Sequence, residues 1–234
     1  MKIGINCGHT ASGVGCGAIG HLNESNETRA VGKALMSQLK KLGHTVYNCT
    51  NDKASSTNEN LSAICNLANK QKLDLFVSIH FNAGGGKGVE CFTWKGSQVK
   101  EAVNICKEIK NLGFNNRGVK DGSGLYVIKN TNATAILIEV CFVDTKTDAD
   151  LYKKVGAEAV ASAICKAITG KDVVTVGEKF TDTVGHYAKN TIDEIAEMGI
   201  MTGTGNNKFE HDKQLTRAEA AIIARNIVRY ITGK

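Results

Sequence analysis

The sequence predicts an α/β fold, with a mixed, mostly parallel sheet covered by helices, and a small, mainly helical unit at the C-terminus. Short apolar or β-rich runs alternate with helical apolar stripes from the first residue to about residue 170. Such alternation is typical of a largely parallel sheet with helical connections. The stripes stop over residues 171–179, and two helical stripes then follow within residues 180–234, a segment too short to hold a large core.

Six short runs predict strands, and most of them are bounded by glycine or polar residues. They lie at residues 2–7, 45–49, 73–83, 88–94, 125–128 and 135–143. Four helical stripes lie between and after these runs. They run from Ala30 to Leu42 before Gly43, from Leu61 to Ala68 after the capping pattern of Ser56 and Glu59, from Val99 to Ile109, and from Leu151 to Ile168.

The pattern divides the chain into a first domain over residues 1–170, a linker over 171–179 and a second domain over 180–234. The linker is placed where helical periodicity is lost. The two stripes of the second domain carry Ile192, Ile195 and Ala196 in the first and Ala220, Ile223, Ile227 and Ile231 in the second. A Gly-rich stretch separates them.

Composition excludes several classes of protein. The net charge of +6 is spread along the chain rather than gathered in a basic tract, so we expect no nucleic-acid binding. Apolar runs all fall short of the roughly 18 residues that a spanning helix needs, so we expect no membrane insertion. The eight cysteines include no C-x-x-C pair. Most lie at apolar positions and are interpreted as buried thiols.

Four polar residues lie where predicted strands or helices begin or end, or inside an apolar run. They are His9, Glu24, His80 and Glu139. Two imidazoles and one carboxylate form the ligand set of an open catalytic zinc site, which leaves a fourth position for water. A glutamate within the apolar run 135–140 is costly to bury as a charge. Next to such a site it would accept a proton from the attacking water and pass it to the leaving nitrogen.

Four motifs in this order resemble those of the zinc-dependent N-acetylmuramoyl-L-alanine amidases. They are GHT at residues 8–10, LNE at 22–24, SIHFNA at 78–83 and ILIEVCFVD at 136–144. The resemblance covers about residues 1–170 and implies a sheet of about six strands. It implies that Zn²⁺ is the cofactor, that His9, Glu24 and His80 are its ligands, and that Glu139 is the catalytic residue.

Other roles are also open to two of these residues. Glu24 could favour the start of a helix through the helix dipole, and Glu139 could pair with Arg117 or Arg29. Two cysteines lie two positions from the proposed site residues, Cys7 before His9 and Cys141 after Glu139. Period-2 alternation would bring both near the site, where either could compete for a soft metal.

The C-terminal segment resembles one S-layer homology module. The matching features are the F-x-D opening at Phe180 and Asp182, and TRAE at residues 216–219. The resemblance implies binding of a secondary cell-wall polysaccharide, with Arg217 as the candidate contact. Thr216 and Glu219 also form a capping-box pattern without any ligand. Because such modules act in threes and one is present, three chains are expected to associate as a homotrimer.

The sequence as a whole favours a lysin that cleaves the amide between N-acetylmuramic acid and L-alanine of peptidoglycan. The start of the chain lacks the apolar core of a secretory signal, so we expect synthesis in the cytoplasm and action on the wall after release. The sequence leaves two other functions open. One is a wall-binding or structural protein that has lost activity, and the other is a zinc carboxypeptidase acting on stem peptides.

Overall fold

The computed structural model describes residues 1–171, 180–183 and 186–233. The chain divides into two compact units, Met1–Val173 and Val174–Lys234. Of the predicted linker, residues 172–179 lie outside the described part. No helix in the described part of the chain is long and apolar enough to cross a membrane.

The first unit is built on a six-stranded sheet, as the sequence predicts. The strands are β1 (Lys2–Cys7), β2 (Thr45–Asn48), β3 (Leu75–Asn82), β4 (Val89–Thr93), β5 (Asn116–Asp121) and β6 (Thr134–Phe142). Their order across the sheet is β2-β1-β3-β6-β4-β5. Neighbours are parallel except for β4 and β6, which are antiparallel. The carboxyl ends of β1, β3 and β6 therefore meet at one edge, where ligand sites of such sheets lie.

Helices cover both faces of the sheet. They are α1 (Glu24–Lys41), α2 (Thr57–Asn69), α3 (Lys100–Asn111), α4 (Tyr126–Asn130) and α5 (Lys146–Thr169), the last broken at Gly156. One core cluster joins the sheet to α1, α3 and α5, and a second joins the opposite face to α2 and α4. These two layers fix the strand ends on which the site is built.

The helix α1 begins at Glu24, one of the candidate site residues. Asn23 is its N-cap, and the Asn23 side chain accepts a hydrogen bond from the backbone N–H of Asn26 at 3.1 Å. Glu24 and Glu27 lie in the first turn and Lys40 and Lys41 in the last, an arrangement that complements the helix dipole. The cap therefore sets where the Glu24 side chain leaves the backbone.

The strand predicted at residues 125–128 is wrong. These residues lie at and within α4, whose Val127 and Ile128 are buried in the cluster with α2. A short apolar run has too few residues to separate a buried helical turn from a strand by periodicity. The fifth strand is instead the polar edge strand Asn116–Asp121, with Gly118 at φ +78°, and its polar sequence carries little strand signal.

In its described residues, the second unit contains two α-helices, α6 (Lys189–Glu197) and α7 (Arg217–Thr232). Its small core is formed by Phe180, Ile192 and Ala196, with Phe209 packed against it. Asp182 accepts hydrogen bonds from the backbone N–H groups of residues 209 and 210, at 2.9 and 2.7 Å. The F-x-D opening therefore ties the start of the unit to the loop before α7.

The TRAE segment begins α7 with a full capping box. The Thr216 side chain accepts from the Glu219 backbone, and the Glu219 carboxylate accepts from the Thr216 backbone N–H at 2.8 Å. Two of the four letters are thus explained by helix capping. Arg217 makes neither a hydrogen bond nor an ion pair with the described residues, so its guanidinium remains available for a ligand.

Candidate metal centre

The structure brings together three of the sequence-predicted site residues at the carboxyl ends of β1 and β3. His9 follows β1, Glu24 opens α1 and His80 lies near the end of β3. His9 Nε2 lies 3.0 Å from Glu24 Oε1, and His80 Nδ1 lies 3.1 Å from the same oxygen. One ligand atom of each residue falls within 4.8 Å of the others. Glu24 is buried, while the His9 side chain is about one-third exposed at 32%, so the cluster is open on the side of His9.

The backbone that presents His9 is held by Arg29. His9 has φ +64°, which is uncommon for a residue other than glycine and persists where its surroundings hold it. The Arg29 guanidinium donates to the carbonyl oxygens of Gly8 and His9, at 3.2 and 3.0 Å. It is itself held by an ion pair with Asp52 at 2.7 Å. Arg29 is therefore a positioning residue for the turn that carries His9.

Hydrogen bonds fix the tautomer of His80. Its Nε2 lies 3.1 Å from Ser78 Oγ, and that hydroxyl donates to Asn6 Oδ1 at 2.7 Å. The Asn6 side-chain NH₂ group donates to the backbone carbonyl oxygens of Cys7 and Cys49, which leaves Oδ1 as the acceptor facing Ser78. Because a serine hydroxyl has one proton and Ser78 donates it to Asn6, His80 Nε2 must be the donor toward Ser78. The lone pair of His80 is therefore on Nδ1, which faces Glu24.

His9 is oriented in the same manner. Its Nδ1 lies 3.2 Å from the carbonyl oxygen of Gly15. Because a carbonyl only accepts, Nδ1 carries a proton, and the lone pair of the neutral ring is on Nε2, which faces Glu24. Such outer partners orient the histidine ligands of metal sites.

Two lone pairs and a carboxylate oxygen thus converge, and they repel one another unless a cation lies between them. Without a metal, a proton takes this role. Burial acts to lower the pKa of His9, but the hydrogen bond and negative charge of Glu24, together with the hydrogen bond to the Gly15 carbonyl, outweigh burial and the pKa is raised. Burial likewise acts to raise the pKa of Glu24, but hydrogen bonds from His80 and His9 hold it well below its usual range. Burial lowers the pKa of His80. The donor set fits Zn²⁺, which takes two imidazoles and a carboxylate and leaves one position open.

Glu139 lies beside this cluster on the same face of the sheet. It is the register partner of His80 on β3 and of Glu90 on β4, and paired residues of neighbouring strands point to one face. Its Oε2 is buried and has no hydrogen-bond partner among the described residues. Burial, followed by the negative charges of Glu24 and Glu90, raises the pKa of Glu139 well above its usual value. Such an unpartnered carboxyl group is suited to carrying a proton.

The alternative partners of Glu139 are not observed. Arg117 pairs with Glu90 at 2.6 Å and Arg29 pairs with Asp52. The Glu139 carboxyl group is therefore left free of cationic partners among the described residues.

The expectation that Cys7 and Cys141 lie at the site is wrong. Cys7 faces α1, where its Sγ would lie 2.4 Å from a Cβ at Gly32, and Cys141 belongs to the core cluster on that side. The turn after β1 and a register shift in β6 after Glu139 break the period-2 alternation on which the expectation depends. Both thiols are buried, and neither belongs to a possible metal-binding group of the described residues.

Sequence reasoning missed the residues that support the ligands. Ser78 could have been found, because it lies two positions before His80 and so on the same strand face. Asn6 on β1 and Arg29 on α1 could not, because their contacts depend on how the strands and α1 pack.

The sequence profile described as N-acetylmuramoyl-L-alanine amidase matches residues 3–170 of the chain. The chain belongs to this amidase family. The profile of the S-layer homology domain matches residues 179–221, so the chain also carries this domain. The matched residues 3–170 include all three candidate ligands, His9, Glu24 and His80, and also Glu139.

Similar proteins come mainly from clostridia and bacilli. An uncharacterized protein of Clostridium perfringens is 33% identical over 74% of this chain and 53% of its own length. The amidase CwlM of Bacillus licheniformis is 33% identical over 65% of this chain and 61% of its own length. The solved catalytic domain of endolysin CD27L, which targets Clostridia difficile, is 32% identical with a TM-score of 0.69, over 74% of this chain and 99% of that domain. The chain spans about half the length of the first curated relatives that it matches.

We expect Gly8→Ala to weaken metal binding by this amidase domain. A Cβ at Gly8 would lie 2.4 to 2.6 Å from three atoms of the His80 imidazole, so the ring must move. Loss of an outer partner that orients a metal ligand lowers metal affinity by about 10- to 100-fold, and we expect a shifted His80 ring to cost about as much. Zinc affinity, measured by competition with a fluorescent chelator, checks this result. Gly124→Ala is the matched control, because a Cβ there meets nothing within 4 Å; equal affinities of the two variants would contradict the expectation.

We also expect zinc affinity to fall with pH. His9 binds a metal only as the neutral ring, and its pKa in the metal-free protein lies above 6.5. As the pH falls through that raised pKa, protons compete with the metal, so the apparent affinity decreases by about tenfold per pH unit. Chelator competition between about pH 8 and about pH 6, corrected for protonation of the chelator, measures the slope. A flat profile over this interval would contradict a proton held at His9.

Proposed function

We propose that the protein is a zinc-dependent peptidoglycan hydrolase that cleaves the amide between N-acetylmuramic acid and L-alanine, acting as a lysin. The observation that carries the proposal is the convergence of the lone pairs of His9 Nε2 and His80 Nδ1 on one oxygen of Glu24. Such an arrangement favours a cation shared by the three groups. Glu139, the register partner of His80, lies beside them with a carboxyl oxygen that has no partner among the described residues. Membership of the amidase family supports the same reaction and substrate.

The proposed reaction assigns metal binding to three residues and proton transfer to a fourth. His9, Glu24 and His80 would hold Zn²⁺, which when bound polarises the amide carbonyl and lowers the pKa of a water molecule. Glu139 accepts the proton of the attacking water while the water oxygen joins the carbonyl carbon. It then delivers that proton to the leaving nitrogen as the C–N bond breaks. The products are the lactyl carboxylate of muramic acid and the free amino group of L-alanine.

The decisive experiment is digestion of purified Gram-positive walls with identification of the new chain ends. We expect free L-alanine amino groups, lost on treatment with a chelator and restored by added zinc. Release of terminal residues from the far end of the stem would instead indicate a zinc carboxypeptidase. Wall binding without cleavage in the presence of zinc would indicate a protein that has lost activity.

The S-layer homology domain would hold the enzyme on the wall through a secondary cell-wall polysaccharide. Arg217 is the proposed contact, because a guanidinium suits acidic groups on a glycan and this one has no partner among the described residues. Sedimentation with purified walls tests the role, with catalysis blocked by a chelator. If Arg217→Ala binds walls as well as the unchanged chain, Arg217 is not the contact.

We further propose that three chains associate through α7. None of the described residues of this helix is buried. Five of its apolar side chains are exposed, namely Ile222, Ile227, Val228, Tyr230 and Ile231. Apolar side chains gathered on one helix are typical of an interface. We expect light scattering to give three times the chain mass of 25.0 kDa, and Ile227→Lys to give a single chain. Val103→Lys on α3 changes a side chain of equal exposure, 40%, and should leave the trimer intact. A strict monomer for the unchanged chain would overturn the proposal.

A further inference from the structure

A second charged cluster lies beside Glu139, on the side away from the zinc ligands. Glu90 on β4 is the antiparallel register partner of Glu139 on β6. His80, Glu139 and Glu90 therefore form a row across three adjacent strands on one face. Whatever Glu90 holds in place lies next to the group that moves the proton.

Glu90 is buried at 4% exposure and holds two cations of β5. Its Oε2 accepts from Arg117 Nε at 2.6 Å and lies 2.7 Å from Lys120 Nζ, while its Oε1 accepts from Asn82 at 2.8 Å. Burial acts to raise the pKa of Glu90, but the hydrogen bonds from Lys120 and Arg117 outweigh burial and the pKa is lowered. Glu90 is therefore ionised, and two positive charges face one negative charge.

The two cations keep donors that make no hydrogen bond with the described residues. Arg117 uses only its Nε within the described residues, so the four N–H groups of its terminal nitrogens are unspent. Its guanidinium lies over the ring of Phe142, 5.0 Å from the ring centroid, which fixes the plane of the fork. The side chains of Arg117 and Lys120 are 34% and 41% exposed, so both reach solvent at the rim of the site.

We propose that Arg117 and Lys120 form a subsite for a free carboxylate of the stem peptide, on the leaving-group side of the cleaved amide. A planar guanidinium with free N–H donors can bind a carboxylate through two hydrogen bonds, and one anion would balance the excess positive charge of the cluster. Asn82 donates to Glu90, and Glu90 holds the Arg117 guanidinium beside Glu139. A peptide bound through its carboxylate would therefore place its amide nitrogen near the proton donor. The subsite rests on the proposed amidase function.

The test compares two forms of one substrate. Soluble muropeptides with free peptide carboxylates are assayed beside the same muropeptides after carbodiimide amidation with ammonia. We expect the unchanged enzyme to favour the carboxylate form by roughly 10- to 100-fold in kcat/KM, mostly through KM, since hydrogen bonds between charged groups have about this strength. In the triple variant E90Q/R117Q/K120Q, which leaves no buried charge uncompensated, the ratio should fall to about one.

The ratio of the two kcat/KM values is insensitive to partial misfolding of a variant, because a smaller folded fraction lowers both values by the same factor. Lys129→Gln removes one net positive charge elsewhere, as the triple variant does, and should keep the full preference. Zinc content of the triple variant should equal that of the unchanged chain. The subsite is overturned if the triple variant retains the preference, or if the unchanged enzyme cleaves both forms equally. If the unchanged enzyme cleaves neither form nor intact walls, the proposed amidase function fails and the subsite falls with it.

Discussion

Glu139→Gln is expected to abolish most wall hydrolysis while the protein stays folded and binds zinc. Glutamine keeps the size and shape of the side chain but cannot take a proton from water, so kcat should fall by about 10²- to 10⁴-fold, the usual contribution of general acid–base catalysis. Release of soluble wall fragments and new L-alanine amino ends measures the loss. Zinc content, measured by atomic absorption, should be unchanged, because none of the metal-cluster contacts of His9, Glu24 and His80 involves Glu139.

Thermal unfolding separates this effect from a structural one. Glu139 Oε2 is buried without a partner among the described residues, and burial raises its pKa. An uncharged amide is therefore expected to keep or slightly increase the unfolding temperature. A variant that retains more than about one-tenth of the activity would contradict the role of Glu139 as the proton carrier.

His80→Ala is expected to remove both zinc and activity. Without the imidazole, two protein ligands remain, and a catalytic zinc site ordinarily needs three. We expect zinc affinity to fall by more than the roughly 100-fold that loss of an outer partner causes. Zinc content after dialysis and the rate of wall hydrolysis measure the two effects on one preparation.

A second histidine controls for the loss of an imidazole as such. His44 lies far from the cluster, where its ring contacts the N-terminal amino group at 3.3 Å. His44→Ala should bind zinc and cleave walls like the unchanged chain. If His80→Ala still bound one equivalent of zinc tightly, the ligand set would have to lie elsewhere in the protein.

Much of the catalytic domain was predictable from local sequence. Five of the six strands and the helices α1, α2, α3 and α5 carry apolar patterns of the right period. All of them except the half-buried edge strand β2 bury a face in one of two large clusters. Strand β5 and helix α4 were missed. The strand is polar because it lies at the sheet edge, and the helix has five residues, too few to show a 3.6-residue period.

The candidate site divides in the same way. His9, Glu24, His80 and Glu139 were identifiable as polar residues at element ends or in an apolar run, and parallel strands bring such ends to one edge. Of their supporting partners, Ser78 was identifiable, because it lies two positions before His80 on the same strand face. Asn6 and Arg29 were not, because they act through contacts between residues 20 to 72 positions apart, and local sequence patterns carry no information about contacts at that separation.

The sequence by itself determined the α/β alternation, the kinds of candidate metal ligand and their order along the chain, since these follow from periodicity and residue chemistry. The tertiary structure decided which nitrogen of each histidine faces Glu24, which face Cys7 and Cys141 take, and that Arg117 pairs with Glu90 rather than Glu139. These features depend on strand register, on the shift in β6 and on packing between distant segments. Register and packing are set by the whole fold, because each is a relation between elements rather than a property of one.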